Sequence, residues 1–242
     1  NTDNDTAAII VTPTSGLSTT ESGGTATFTI NLATTPIGDV TITLTSNNTA
    51  EGTVAPASIT FTANQTPTAK TLIVTGVDDA TQDGNKIYTI VTSNTSSTDG
   101  NYNNKDVADV TVTNTDNDIP GITVNPNTGL ITTEAGGTAL FTIVLNTLPT
   151  ADVTITLTSN NTAEGTVAPA SVIFTATNGK TPQTVTITGV DDAAIDGNKT
   201  YTIVTSNSAS GDTNYNNKDV SDVSVTNTDN DPQAPTGQIT VT

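Results

Sequence analysis

Apolar and polar residues alternate along most of this chain. The stretch 25–32 places Ala26, Phe28, Ile30 and Leu32 on one side and Thr or Asn on the other. Further short runs with the same period contain Val40/Ile42/Leu44, Ile59/Phe61, Leu72/Val74, Tyr88/Ile90 and Val110/Val112. Successive side chains of a strand point to opposite faces, so this pattern predicts strands with one buried and one wet face.

Turn sequences separate these runs, and no window shows a helical period. Examples are Ser22-Gly23-Gly24, Asp83-Gly84-Asn85 and Asn103-Asn104, all rich in residues that favour turns. About seven short strands per ~110 residues, apolar on one face and Thr-rich on the other, are typical of an antiparallel β-sandwich. The predicted fold class is therefore all-β.

The chain repeats itself at an interval of 113 residues. The sequence Asn-Thr-Asp-Asn-Asp begins at Asn1, Asn114 and Asn227, and 78 of the 113 positions in 1–113 recur in 114–226 without a gap. A period of this length suits a whole domain. The predicted organisation is the tail of a preceding repeat at 1–5, one repeat at 6–118, a second at 119–231, and a linker with the first strand of a following repeat at 232–242.

The charge is strongly negative and narrows the range of partners. There are 24 acids, six Lys and no Arg, giving a net charge of −18. Nucleic acid and anionic lipid are unfavourable partners for such a chain, and no apolar run is long enough to insert into a membrane. With neither Cys nor His, disulfides are excluded and sites for zinc, copper or haem are disfavoured.

The acids concentrate at the ends of the predicted strands. Seven carboxylates per repeat have this placement: Glu21, Glu51, Asp78, Asp79, Asp83, Asp116 and Asp118, then Glu134, Glu164, Asp191, Asp192, Asp196, Asp229 and Asp231. Loops gather at the two ends of a sandwich, so we expect these acids to meet at one pole. Four other acids per repeat, including Asp39 and Asp99, are interpreted as surface or turn residues.

Carboxylates gathered in this way favour a bound cation. Two carboxylates ~5 Å apart repel by roughly 3 kcal/mol at an effective dielectric near 20. Hard, charged oxygen ligands beside turn carbonyls suit Ca²⁺ best and Mg²⁺ less well. The alternative is that these are solvated turn residues, because Asp and Asn form turns without any ion.

The order of motifs resembles the Calx-β domain, and the resemblance spans each repeat. The first repeat contains Thr-Glu-x-Gly-Gly-Thr-Ala, Glu-Gly-Thr-Val, Ser-Ile-Thr-Phe, Gly-Val-Asp-Asp-x-x-x-Asp and Val-Thr-Val-Thr-Asn-Thr-Asp-Asn-Asp, in that order. This family includes calcium-sensing domains of sodium–calcium exchangers and tandem arrays in bacterial surface proteins. The resemblance implies a seven-stranded, Ig-like Greek-key sandwich with calcium ions clustered at one end.

The resemblance also implies the ligands. By position they are the seven acids of each repeat together with Asn117 and Asn230, the middle residues of the terminal triplet. Two features depart from the family. Asn117 and Asn230 stand where the family has an acid, and Lys86 and Lys199 stand where calcium-binding members often have another. Both differences lower the charge of the site.

The function predicted from these patterns is structural. We expect calcium-binding repeats of a secreted bacterial surface protein, forming a calcium-rigidified stalk or an extracellular filament for adhesion or biofilm, with neighbouring repeats and other copies of the chain as partners. The chain is not expected to be an enzyme, because the usual nucleophile–base pairs need His or Cys. The alternatives are a module that grips a glycan or other surface, and a repeat region of a secreted enzyme or toxin.

Overall fold

The computed structural model describes residues 5–231, which form two compact units of the same architecture. One unit ends at Asn117 and the other begins at Asp118. The described residues are strands, turns and loops, and none of them forms a helix that could cross a membrane. The predictions made for residues 1–4 and 232–242 fall outside the described part of the chain.

The first unit contains ten strands. They are β1 (Ile9–Thr12), β2 (Leu17–Thr20), β3 (Thr25–Leu32), β4 (Val40–Ser46), β5 (Gly52–Ala55), β6 (Ser58–Phe61), β7 (Lys70–Gly76), β8 (Lys86–Thr92), β9 (Ser96–Ser97) and β10 (Val110–Thr115).

The second unit repeats this order. Its strands are β11 (Ile122–Asn125), β12 (Leu130–Thr133), β13 (Thr138–Leu145), β14 (Val153–Ser159), β15 (Gly165–Ala168), β16 (Ser171–Phe174), β17 (Gln183–Gly189), β18 (Lys199–Thr205), β19 (Ala209–Ser210) and β20 (Val223–Thr228).

Each unit is a sandwich of two sheets. In the first unit one sheet has the order β1-β3-β7-β5, and the other has the order β2-β10-β8-β4-β6 with β9 beside β4. All pairs are antiparallel except β2 and β10, which run parallel. The second unit has the same two sheets, including a parallel pair between β12 and β20. The predicted all-β sandwich is confirmed.

The core lies between the sheets and consists of the residues that the alternation marks as apolar. Phe28 and Leu72 from one sheet and Val40 and Tyr88 from the other are each at most 1% exposed. Complete burial of such a side chain contributes about 1.5–3 kcal/mol. The alternation therefore predicts both the strands and the face that each strand buries.

The strands are more finely divided than the sequence pattern indicates. The segment that precedes β3 is interrupted after Thr12, because Pro13 has no N–H for a sheet and Gly16 adopts a positive φ of 77°. The strands on either side of this interruption, β1 and β2, therefore join opposite sheets. A similar break at Pro56 separates β5 from β6. Together with the two-residue β9, these breaks give ten segments where the pattern predicts about seven strands.

Candidate metal centres

Most of the predicted acids form two groups in each repeat. In the second repeat, Glu134, Asp229 and Asp231 each place a carboxylate oxygen within 4.8 Å of the others, and we name this group the terminal triad. A second group, which we name the loop triad, consists of Glu164, Asp192 and Asp196 and meets the same limit. The corresponding groups of the first repeat are Glu21/Asp116/Asp118 and Glu51/Asp79/Asp83.

The parallel strand pair assembles the terminal triad. Thr133 at the end of β12 lies opposite Thr228 at the end of β20. Parallel strands end at the same edge of a sheet, so the next residues, Glu134 and Asp229, emerge side by side. The Glu134 N–H donates to the Thr228 carbonyl at 3.1 Å, which fixes this arrangement.

The loop triad depends on an antiparallel pair in the other sheet. Gly165 at the start of β15 lies opposite Gly189 at the end of β17. The preceding Glu164 therefore lies beside the first residue after β17, and the Val190 N–H donates to the Glu164 carbonyl at 3.0 Å. The loop that begins there carries Asp192 and Asp196 to the same place.

Backbone N–H groups orient the carboxylates of the terminal triad. A Glu134 oxygen accepts the Asn230 N–H at 2.9 Å. The two oxygens of Asp229 accept the N–H groups of Gly197 and Asp231, each at 2.7 Å. Gly197 directly follows Asp196, so its hydrogen bond to Asp229 connects the terminal triad to the loop that carries the loop triad.

One carboxylate oxygen of the terminal triad fits a cation particularly well. Asp231 Oδ2 is buried and has no hydrogen-bond partner among the described residues. Burial together with the negative charges of Asp229, Asp191 and Asp192 raises the pKa of Asp231. A buried anionic oxygen without a donor is unfavourable, and a bound cation would remove that penalty.

The other members of this triad have pKa values shifted in opposite directions. For Glu134 the hydrogen bond from Asn230 favours the charged form, but burial and the nearby carboxylates outweigh it and raise the pKa. The hydrogen bonds from Asp231 and Gly197 lower the pKa of Asp229. The ionised form of Asp229 is thus stabilised, whereas ionisation of Glu134 and Asp231 beside it is disfavoured.

The two lysines that depart from the Calx-β pattern each form an ion pair with a loop-triad carboxylate. Lys199 Nζ lies 3.1 Å from an Asp196 oxygen, and Lys86 makes the same contact with Asp83. The hydrogen bond to Asp83 raises the pKa of Lys86. These pairs are exposed and contribute little to stability, but each lysine partly neutralises a loop triad. Each would therefore compete with a cation there.

Some of the predicted ligands are not in either triad. Asp78 and Asp191 precede the loop-triad residues Asp79 and Asp192 but are not members of the groups. Asn117 and Asn230 offer their backbone N–H groups to the Glu of the terminal triad. Their assignment as side-chain ligands stays a prediction.

Sequence reasoning missed two kinds of residue. Asn114 and Asn227 are each 1% exposed and donate to the Glu of the loop triad. The sequence feature that could have identified them is their position as the first residue of the repeated Asn-Thr-Asp-Asn-Asp motif. Asp99 and Asp212 were expected at the surface or in turns. They are 3% and 5% exposed and accept backbone N–H groups, so they are buried turn anchors.

The chain matches no protein-family model and no curated protein. Among solved structures it is similar to CBD12 from CALX1.2, with 11% identity, a TM-score of 0.41 and coverage of 90% of this chain and 98% of that one. It is also similar to the calcium binding domain CBD12 of CALX1.1, with 12% identity, a TM-score of 0.38 and coverage of 83% and 80%. Domains 1–6 of the surface layer protein SbsC match at 21% identity and a TM-score of 0.33, over 80% of this chain and 20% of that one. At these TM-scores the similarities assign neither a ligand nor a function.

Proposed function

We propose that each repeat is a calcium-binding structural module. The observation that carries this proposal is the terminal triad of the second repeat, in which the buried Asp231 Oδ2 lies among like charges. Ca²⁺ accepts six to eight oxygen ligands in flexible geometry, which suits carboxylates supplemented by carbonyls and water. The ion would supply positive charge, and the chain's own N–H groups would hold the carboxylates in place.

Calcium fits the described donors better than the competing metals do. The groups offer only carboxylate oxygens, the ligands of hard cations, and the sequence has no Cys or His for softer metals. Mg²⁺ requires near-ideal octahedral geometry and releases its waters reluctantly. The modest number of carboxylates per triad suits the affinity of extracellular modules, with Kd on the order of 10⁻⁴–10⁻³ M.

Titration calorimetry on the 242-residue chain tests this proposal. We expect CaCl₂ to bind in that range and MgCl₂ to bind more weakly. Replacing Glu134 by Gln should reduce the number of ions bound. Replacing the exposed Asp152, an acid outside both triads, by Asn is a charge-matched control and should not. Absence of calcium binding, or equal losses in the two variants, would contradict the proposal.

The wider role proposed for the module is a stalk or filament repeat of a secreted surface protein. The support is the tandem repeat, in which 78 of 113 positions recur, and the short connection Ile119-Pro120-Gly121, which has no Gly/Ser-rich spacer. Sites of millimolar affinity would fill outside a cell and stay empty in cytoplasm. Antibody labelling of intact source cells tests the location, and labelling only after lysis would refute it. Small-angle scattering in calcium and in EDTA tests the stiffening, which identical distance distributions would exclude.

A second candidate function rests on the outer face of the sheet β1-β3-β7-β5. The strand register aligns Thr12, Thr29 and Thr71 in one row across it. A second row contains Thr25, Thr75 and Thr53. Strands lie ~4.8 Å apart, and the two rows are four residues or ~13.6 Å apart, with Thr27, Ile73 and Ala55 in the row between them. The face thus presents hydroxyls and methyls at regular intervals that could match a flat polysaccharide. Co-sedimentation with insoluble glycans at fixed calcium tests this role, and binding unchanged by Thr29→Lys would exclude this face.

A further inference from the structure

A buried asparagine lies behind the loop triad of each repeat. Asn227 is 1% exposed and makes three hydrogen bonds through its side chain. Its Nδ2 donates to the Val190 carbonyl at 3.1 Å and to Glu164 Oε2 at 3.4 Å, and its Oδ1 accepts the Thr132 hydroxyl at 3.0 Å. The carbonyl of Val190 can only accept, so the amide must present its NH₂ group to Val190 and to Glu164.

The first repeat reproduces this arrangement. Asn114 Nδ2 donates to the Val77 carbonyl at 3.0 Å and to Glu51 Oε2 at 3.4 Å, and Asn114 Oδ1 accepts the Thr19 hydroxyl at 3.0 Å. The asparagine, its hydroxyl partner, its carbonyl partner and its carboxylate partner therefore occupy matching positions in both sandwiches.

The hydrogen-bond partners of this amide belong to the two chain segments that supply the loop triad. Glu164 is a triad member that is only 6% exposed, and Val190 lies two residues before the triad member Asp192. A single side chain thus fixes one carboxylate and the start of the loop that carries the others. Gly189 preserves this contact, because a Cβ there would lie 2.5 Å from Asn227 Oδ1.

We propose that Asn227 and Asn114 are positioning residues for divalent-cation binding at the loop triads. This inference rests on the proposed calcium-binding function. Each amide donates to the carboxylate oxygen of the buried Glu and restrains its rotation, and at the same time it holds the incoming loop. Groups that orient metal ligands in this way typically contribute 10–100-fold to metal affinity.

The competing explanation is that the asparagine only satisfies buried backbone groups. That role would change the stability of the fold without changing the relative calcium affinity of the two repeats. Thr132→Val provides a matched control, because it removes the buried hydrogen bonds of the Thr132 hydroxyl with Asn227 and Tyr201 but no contact with a carboxylate.

The test is a CaCl₂ titration of the whole chain followed by NMR. The Ala194 and Thr81 N–H groups donate to Asp192 and Asp79, so their resonances report the loop triads of the second and first repeats separately. For Asn227→Leu we expect the Ala194 midpoint to move to at least about tenfold higher calcium while the Thr81 midpoint stays fixed. For Thr132→Val both midpoints should stay within about twofold of the parent chain, since Glu164 keeps its donor.

Each result has a defined meaning. If neither resonance of the parent chain responds to calcium, the proposed function fails. If the parent chain responds and Asn227→Leu leaves the Ala194 midpoint unchanged, or if Thr132→Val shifts it equally, the positioning role is wrong. If Asn227→Leu does not fold, the side-chain NH₂ signals of Asn227 in the parent chain decide. These NH₂ resonances should change during the CaCl₂ titration with the same midpoint as the Ala194 resonance. NH₂ resonances that do not change would overturn the inference.

Discussion

Replacing Glu164 by Gln should remove calcium-dependent stability from the second repeat alone. Glutamine keeps the shape of the side chain and an oxygen that can accept the hydrogen bond from Asn227. The substitution removes one of three charges held within 4.8 Å of one another. The variant should therefore be no less stable than the parent chain without metal, because the repulsion between the carboxylates falls.

The size of the effect follows from the affinity of such a site. A cation that binds only the folded state stabilises it by RT ln(1 + [Ca²⁺]/Kd). With Kd on the order of 10⁻⁴–10⁻³ M and 10 mM calcium, one site contributes about 1.4–2.7 kcal/mol. For a repeat of this size, where ~1 kcal/mol corresponds to ~4 °C, losing the site should lower Tm by about 5–10 °C in calcium.

Scanning calorimetry in 10 mM CaCl₂ and in EDTA measures this difference. In calcium the variant should show a separate, lower transition for the second repeat, while the first repeat melts as in the parent chain. In EDTA the two transitions should draw together. Asp152→Asn removes an equal charge from an exposed position outside the triads and should melt like the parent chain. If the Tm of the second repeat falls by the same amount in EDTA as in calcium, the reasoning is refuted, because Glu164 would then be a structural residue only.

Three further predictions follow from the same sites and from the core. Without calcium, the second repeat should become more stable as the pH falls from neutral through the raised pKa values of Asp231 and Glu134, because these raised values make the folded chain bind protons more tightly. This contribution is fully present below the unfolded pKa values of about 4 and is lost as the pH rises through the raised pKa values of the folded chain. Saturating calcium should remove the trend, and a metal-free Tm that falls steadily on acidification from pH 7 would contradict it. Asp192→Asn should weaken calcium binding more than Asp191→Asn, since only Asp192 belongs to a triad; equal losses in calorimetry would show that the pair acts as one ligand. Tyr215→Phe should cost about 1–3 kcal/mol in urea unfolding with or without calcium, because its buried hydroxyl holds the β13–β14 connection through three hydrogen bonds, and a change below ~0.5 kcal/mol would show that water replaces it.

The sequence predicted the site residues only in part, for a physical reason visible in the acid pairs. Asp191 and Asp192 are adjacent and chemically identical, yet only Asp192 joins a triad. Both follow β17 in a loop, so the pairing of β15 with β17, which places Glu164 beside the start of this loop, and the path of the loop from there decide which of them faces Glu164. The Asn-Thr-Asp-Asn-Asp motif shows the same limit. Its two acids were identified as candidates, whereas the role of Asn227 depends on its burial against Val190 and Glu164.

The linear sequence by itself determined the longer strands, the face that each of them buries and the repeat of 113 residues, but not the breaks that divide the sheets into ten segments per unit. The strands and their buried faces are local features, because alternation with period two has only one low-energy arrangement, in which the apolar side is buried. The tertiary structure alone decided which carboxylates meet. Glu134 and Asp229 are 95 residues apart in sequence, and they become neighbours because β12 and β20 pair in parallel and end at the same edge. Proximity of this kind depends on strand pairing across the whole domain, which the residues surrounding each acid do not encode.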